Sequence, residues 1–256
     1  ADGCEVPAQA PTAALPANGG KLDIVSDAIC PWCWIGKANL DAALAILEKE
    51  DGLRFSIRWR PFQLNPDMPA EGVERASYRA QKFGSLERSK QMDAQVAEAG
   101  RRAGVEFRHD LMLRTPNTIE AHRLMRLAEP SGLQHPLMEA IFRAYFHEGR
   151  DIGDRAVLAG IGRGVGLDEA TLAAFAEGHA GRHEVMAEDE GYRRAGISGV
   201  PSFVLDRYLL WSGAMPAEQM AAGLRQAIAA IRAQRQAAEQ AASRALPTSN
   251  PRRPRP

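Results

Sequence analysis

The stretch Lys21-Leu22-Asp23-Ile24-Val25-Ser26-Asp27-Ala28-Ile29-Cys30-Pro31-Trp32-Cys33 carries the reading of this chain. Its first half is a short, β-rich apolar run ending in polar residues, which predicts a buried strand. At Pro31 the pattern changes. Leu40, Leu44 and Leu47 recur at spacings of four and three until Asp51-Gly52, so a helix opened by proline and stopped by glycine is expected. The two cysteines fall where strand hands over to helix. With Cys30 as N-cap, Pro31 takes the first helical position, where its fixed φ fits and its missing N–H costs nothing. The Cys30 sulfur is then expected to face the free N–H groups of the first turn, whose hydrogen bonds and dipole favour a thiolate. The thiolate is the nucleophilic form, and thiols at helix N-termini titrate below a free cysteine. Cys33, one turn further along the same face, can close a small disulfide ring.

Outward from this stretch, Leu53, Phe55, Ile57 and Trp59 alternate with Arg54, Ser56, Arg58 and Arg60. That period of two predicts a strand with one wet face, as at a sheet edge. From Pro61 to about Ala195 helical patterns are separated by Gly and Pro. Asn117 precedes Glu120 by three, which predicts a capping box for a helix carrying Leu124, Leu127 and Ala128. Further helices are read from Leu137, Ile141 and Tyr145, and from Leu172, Phe175 and Ala176 after an Asp168 cap. β character returns at Val200–Leu205, turns near Asp206-Arg207 and resumes at Tyr208–Trp211, an antiparallel hairpin. A last helix after Pro216 places Met220, Leu224, Ile228 and Ile231 on one face. Strand–helix–strand requires a parallel pair, and the hairpin can extend the same sheet. The result is an α/β fold, a β–α–β–β–α sheet domain interrupted by a helical insertion.

Composition bounds the function. The 256 residues balance 32 basic against 32 acidic side chains, which argues against whole-surface attraction to nucleic acid or anionic membrane. No apolar run is long enough to span a bilayer. Three cysteines, Cys4, Cys30 and Cys33, are too few for a disulfide scaffold, so cysteine is concentrated at one place. The Pro- and Ala-rich residues 1–20, which hold Cys4, read as a disordered leader without a secretory signal. The Pro- and Arg-rich residues 243–256 read as a disordered tail. A cytoplasmic protein is expected, and the missing initial Met leaves export through a removed segment open.

Three readings compete with redox chemistry at Cys30 and Cys33. A zinc half-site needs two further ligands, and the six histidines are scattered with no second Cys pair, so no metal is expected. A structural disulfide does not call for a Pro-opened helix terminus. Chance pairing is disfavoured by the βαβ context. The second element is Gly199-Val200-Pro201-Ser202-Phe203, where a proline opens a strand. A cis bond at Pro201 would present the Val200 backbone to a bound chain as a strand would, whereas a trans proline would merely start the strand.

These segments, with Asn117-Thr118, Ala121-His122-Arg123-Leu124 and Ser212-Gly213-Ala214, resemble the DsbA-like branch of the thioredoxin superfamily, in the FrnE-like and 2-hydroxychromene-2-carboxylate isomerase-related group. The resemblance spans about residues 21–235. It implies a thioredoxin-like fold (βαβ…ββα) with a large all-helical insertion domain, a cis Pro201 and thiol–disulfide oxidoreductase activity. The sheet domain is expected over residues 21–62 and 196–242 and the insertion over residues 63–195. Isomerase and glutathione-transferase relatives carry Ser at the position of Cys30, so two cysteines favour dithiol chemistry. Cys30 and Cys33 are the expected catalytic pair. Pro31, Trp32, Val200 and Pro201 are expected to bind substrate, Trp34 to add apolar surface or to belong to the core, and His122 to face the cleft or to be structural. Expected partners are disulfide- or dithiol-containing proteins or small molecules, with glutathione as candidate co-substrate and no tightly bound cofactor; an oligomer is compatible. The rival readings are a glutathione-dependent isomerase or transferase on a small aromatic or electrophilic substrate, and a chaperone-like clamp.

Overall fold

A computed structural model describes residues 18–245. Cys4, most of the expected leader and most of the expected tail lie outside the described residues. Strand β1 (Lys21–Ser26) leads through a short loop into helix α1 (Pro31–Asp51), and β2 (Ser56–Pro61) follows. Gly52 takes the left-handed conformation (φ 62°) that ends α1, and its N–H returns to the Glu48 and Leu47 carbonyls. The insertion then runs β3 (Val73–Glu74), α2 (Arg75–Phe83), α3 (Leu86–Arg102), β4 (Arg114–Thr115), α4 (Ile119–Leu127), α5 (Gln134–Phe146), α6 (Arg155–Gly164), α7 (Glu169–Glu177) and α8 (Arg182–Arg194). The hairpin β5 (Ser202–Leu205) and β6 (Tyr208–Ser212) and helix α9 (Ala217–Ala245) complete the chain.

The main sheet has the order β2-β1-β5-β6, with β1 parallel to β2 and antiparallel to β5. The expected parallel pair and hairpin therefore share one sheet, and β1 is central because both partners add to it. Alternation along β1 sends Leu22 and Ile24 into a core with Leu40, Leu47, Phe203, Met220 and Leu224, where α1 packs on α9. Val25 points the other way, against Phe62 and Ile197.

Four expectations need correction. The insertion is helical but also holds a two-residue antiparallel ladder, β3 with β4, too short to show a sequence period. The strand β2 is at an edge, but it starts at Ser56 and its arginine face is not wet. Arg58 makes a bidentate pair with Asp23 (2.6 and 2.7 Å), and Arg60 pairs with Glu129 (2.9 Å), under a cover supplied by α8 and α4. The capping box at Asn117 is not formed. Asn117 does accept the Ile119 N–H (2.9 Å), but Glu120 turns away to arginines on the insertion. Finally, the described end of the leader is held in place: Asn18 exchanges hydrogen bonds with Gly52 and Arg54, and Gly19 donates to the Arg54 carbonyl. At the other end α9 runs to Ala245.

One glycine sets the distance between α1 and the second half of the sheet domain. A Cβ on Gly36 would come within 3.0 Å of Pro201 Cγ, so a residue that costs helix stability is used where the helix must touch Pro201. Gly36→Leu is expected to overpack this contact and to lower stability by about 1–3 kcal/mol, measured as a lower urea midpoint at unchanged slope.

Candidate active site

Cys30 is the N-cap of α1 (φ −87°, ψ 112°) and Pro31 occupies the first turn, as the sequence predicts. The sulfur does not bond the first-turn N–H groups. It donates instead to the Val200 carbonyl at 3.6 Å, across 170 positions of sequence. The first turn is closed by backbone: the Cys30 N–H donates to the Asp27 carbonyl and the Cys33 N–H to the Cys30 carbonyl, both at 3.0 Å. The Val200–Pro201 peptide is cis. Both cysteines are free and buried, but they differ in access. Cys30 lines a cleft of about 330 Å³, whereas Cys33 lies behind it among core side chains. Burial, reinforced by the hydrogen bond and charge of Cys30, pushes the Cys33 thiol up.

Of the residues expected to bind substrate, Pro31, Trp32 and Val200 line this cleft with Cys30, and Trp32 is 43% exposed. Pro201 is buried beside them against α1. His122 does not reach the cleft. It is 3% exposed, and its Nε2 lies 3.3 Å from Asp27 Oδ1, while the other Asp27 oxygen accepts the Leu64 N–H at 2.7 Å. Because the Asp27 carbonyl also holds Cys30, this fully buried carboxylate ties the active-site loop, the loop after β2 and α4 together. Trp34 belongs to the core: it stacks on Phe146 and meets Phe107 edge-on, and its indole N–H donates to Glu139 (3.1 Å).

The opposite wall of the cleft comes from the insertion and carries the side chains that sequence reasoning missed. Arg75, Tyr78, Arg79 and Lys82 project from α2, with Asp93 of α3 among them. Asp93 accepts from Arg75 (2.9 Å) and Arg79 (2.7 Å). Among the described residues, Lys82 has only neutral partners, the Asn65 side-chain oxygen (2.9 Å) and the Tyr78 hydroxyl (3.0 Å). Burial, with Arg75 and Arg79 assisting, lowers the His109 imidazole more than Asp93 raises it, which favours its neutral form. Three cations thus face one carboxylate, beside an apolar floor that includes Phe83, Met92 and Met112. Arg75, Arg79 and Lys82 recur at spacings of four and three, so the cationic face is periodic in the sequence, but α2 buries no residue and nothing local says that this face meets a cleft. Among the described residues, no group of three or more His, Cys, Asp or Glu is placed to hold a metal ion.

Comparison with known proteins bears on the family and the fold. A family model described as DSBA-like thioredoxin domain matches residues 21–225. A crystal structure of a probable DsbA oxidoreductase from Streptomyces coelicolor is similar at 32% identity and a TM-score of 0.72, over 81% of this chain and 89% of that one. The cytosolic disulfide reductase DsbM from Pseudomonas aeruginosa, in a structure with glutathione, shares the fold at 23% identity and a TM-score of 0.56, over 84% and 99% of the two chains. The Bacillus subtilis protein YwbO, itself uncharacterised, is 24% identical over 72% of this chain and 86% of its own length.

Proposed function

The chain belongs to the DSBA-like thioredoxin domain family, and from that premise we propose that it is a thiol–disulfide oxidoreductase working through Cys30 and Cys33. The observation that carries this reading is the unequal placement of the two sulfurs, one at the cleft and one behind it. Cys30 attacks a substrate disulfide, forming a Cys30–substrate bond and expelling the first substrate thiolate. Cys33 then attacks Cys30 Sγ, forming the internal disulfide, and the second substrate sulfur leaves with the electron pair. Two electrons pass from the dithiol to the substrate, and the reverse sequence oxidises a dithiol. The Val200 carbonyl, released from the Cys30 thiol once that sulfur is substituted, is free to accept a substrate backbone N–H, while Trp32 and Pro31 offer apolar surface.

Within the family we place the chain with FrnE-like and 2-hydroxychromene-2-carboxylate isomerase-related proteins, on its Cys-Pro-Trp-Cys and Gly-Val-Pro-Ser motifs. In the cytoplasm, the compartment its sequence favours, exchange runs toward reduction or isomerisation. Titration of the Cys30–Cys33 pair against a glutathione series tests direction: a potential near about −270 mV marks a reductant and one near about −120 mV an oxidant.

The cationic wall favours disulfides that carry carboxylates, and glutathione disulfide is the candidate of that class; DsbM, which shares the fold, has been crystallised with glutathione. Lys82, with no carboxylate partner among the described residues, is the cation most available to a ligand. Lys82→Glu is expected to raise KM for glutathione disulfide by about tenfold, the scale of one charge contact, and to leave neutral hydroxyethyl disulfide within about twofold. Equal effects on both substrates would exclude charge recognition by this wall.

A further inference from the structure

Resolution of the mixed disulfide requires a thiolate at Cys33, which is 1% exposed and surrounded by core side chains. An ion in such a place is stable only where hydrogen-bond donors meet it. Along β1, Ser26 falls on the same face as Leu22 and Ile24, which pack in one core with Cys33, and the Ser26 hydroxyl and the Asp27 backbone N–H act against the rise that burial imposes on the Cys33 thiol. Ser26 ends β1 and is fully buried. Its hydroxyl is one of two buried side-chain polar atoms among the described residues without a hydrogen-bond partner. A buried orphan hydroxyl is costly and uncommon, so its presence calls for a reason. The sheet supplies none: Ser26 pairs with Pro61, and its carbonyl, not its hydroxyl, receives the Phe62 N–H at 3.0 Å.

We propose that the Ser26 hydroxyl is a catalytic hydrogen-bond donor to the Cys33 thiolate, unengaged in the dithiol protein and recruited when Cys33 attacks the Cys30–substrate disulfide. The proposal rests on the thiol–disulfide reading of the site. In this step the Cys33 thiol gives its proton to the departing substrate thiolate or, when that sulfur is a weak base, to water. The Cys33–Cys30 bond forms, the Cys30–substrate bond breaks, and Ser26 keeps its own proton throughout. The titratable groups around Cys33 include Cys30 and Lys37 on α1, Asp27 in the loop before it, His122 on α4 and Glu139 on α5. Lys37 is held by Asp41 (2.8 Å) and Glu139 (3.1 Å), and His122 by Asp27. Beside the Asp27 backbone N–H, Ser26 thus supplies a neutral side-chain donor.

Rapid mixing of the dithiol protein with 5,5′-dithiobis(2-nitrobenzoate) separates the two steps, because attack by Cys30 and resolution by Cys33 each release one chromophoric thiolate. Ser26→Ala is expected to keep the first phase at its wild-type rate, to slow the second by about tenfold or more, the scale of a hydrogen bond to an ion, and to move the pH profile of that phase upward. Ser26→Thr, which keeps a hydroxyl, is expected to resolve near the wild-type rate. In a Cys30→Ser background, adding Ser26→Ala is expected to shift the pH midpoint of Cys33 alkylation by iodoacetamide upward. A second phase of Ser26→Ala with unchanged rate and pH profile overturns the assignment, as does equal slowing in Ser26→Thr. A wild-type protein that shows no first phase overturns instead the thiol–disulfide reading on which the assignment stands.

Discussion

Cys30→Ser is expected to bring disulfide turnover down to the rate seen without protein, while Cys33→Ser accumulates a covalent adduct of one substrate half on Cys30. The asymmetry follows from position. Cys30 lines the cleft, where an incoming disulfide can align with its sulfur, and a serine hydroxyl there is not ionised at neutral pH and attacks no disulfide. Cys33 cannot stand in for it. It is walled off by core side chains, and its thiol is pushed up by burial, so the disulfide it is placed to attack is one already formed at Cys30. Once formed on Cys33→Ser, the adduct has no internal thiol placed to release it, and mass spectrometry under non-reducing conditions reads it directly. Raising the pH is expected to speed resolution in the wild type, because the fraction of Cys33 in its reactive form grows through and beyond the range of a free thiol. Turnover by Cys30→Ser at the wild-type rate would refute the mechanism. Small-molecule turnover that depends on glutathione and survives loss of both cysteines would move the protein to the isomerase and transferase relatives instead.

The half of this site carried on one continuous segment was legible from the residues themselves, Val200 and Pro201 were expected there through the family resemblance, and the wall supplied by the insertion was not expected. Cys30 as N-cap, Pro31 behind it and Gly52 as the stop are local consequences of backbone chemistry, so composition and spacing reveal them. The hairpin and the β–α–β order also follow from periodicity, which is why the sheet could be anticipated. The partner of the Cys30 sulfur could not be, because Val200 arrives through the fold from 170 positions away and displaces the first-turn N–H groups expected to meet it. His122 shows the same limit. Its sequence context left it either facing the cleft or structural, and helix α4 turns it inward onto Asp27. The arginine face of β2 looked wet because a period of two reports alternation, not what covers each face, and here Asp23, Glu129 and Glu188 neutralise the charge. Helix α2 shows its helical period in the spacing of Arg75, Arg79 and Lys82, but with no buried residue its sequence does not tell a solvated face from the cleft wall that it forms opposite Cys30.

Glu120→Ala is expected to cost about 3–5 kcal/mol of folding stability, the scale for removing one partner of a buried ion pair. Glu120 lies among three guanidinium groups. It bonds Arg123, and its oxygens receive Arg155 (2.9 Å) and Arg182 (3.2 Å). Arg123 is fully buried and is otherwise held only by the carbonyls of Ala180 (2.9 Å), Gly178 (2.8 Å) and Phe175 and by the face of the Phe175 ring, so it would keep its charge with no carboxylate beside it. Against a typical domain stability of about 5–15 kcal/mol this is a large fraction, and a urea titration would show it as a lower midpoint. The effect on chemistry is expected to be small. Residues 120 and 122 stand roughly 200° apart around α4, so the ionic clamp docks one face of the helix on α6, α7 and α8 while the other presents His122 to Asp27. At denaturant concentrations where the variant is still folded, the rate of Cys30 attack should therefore stay within about twofold of wild type, as for a change with no shared partner at the site. A large loss of that rate in the folded variant would mean that the clamp also sets the position of Asp27. The insertion would then tune the reactive sulfur as well as wall its cleft.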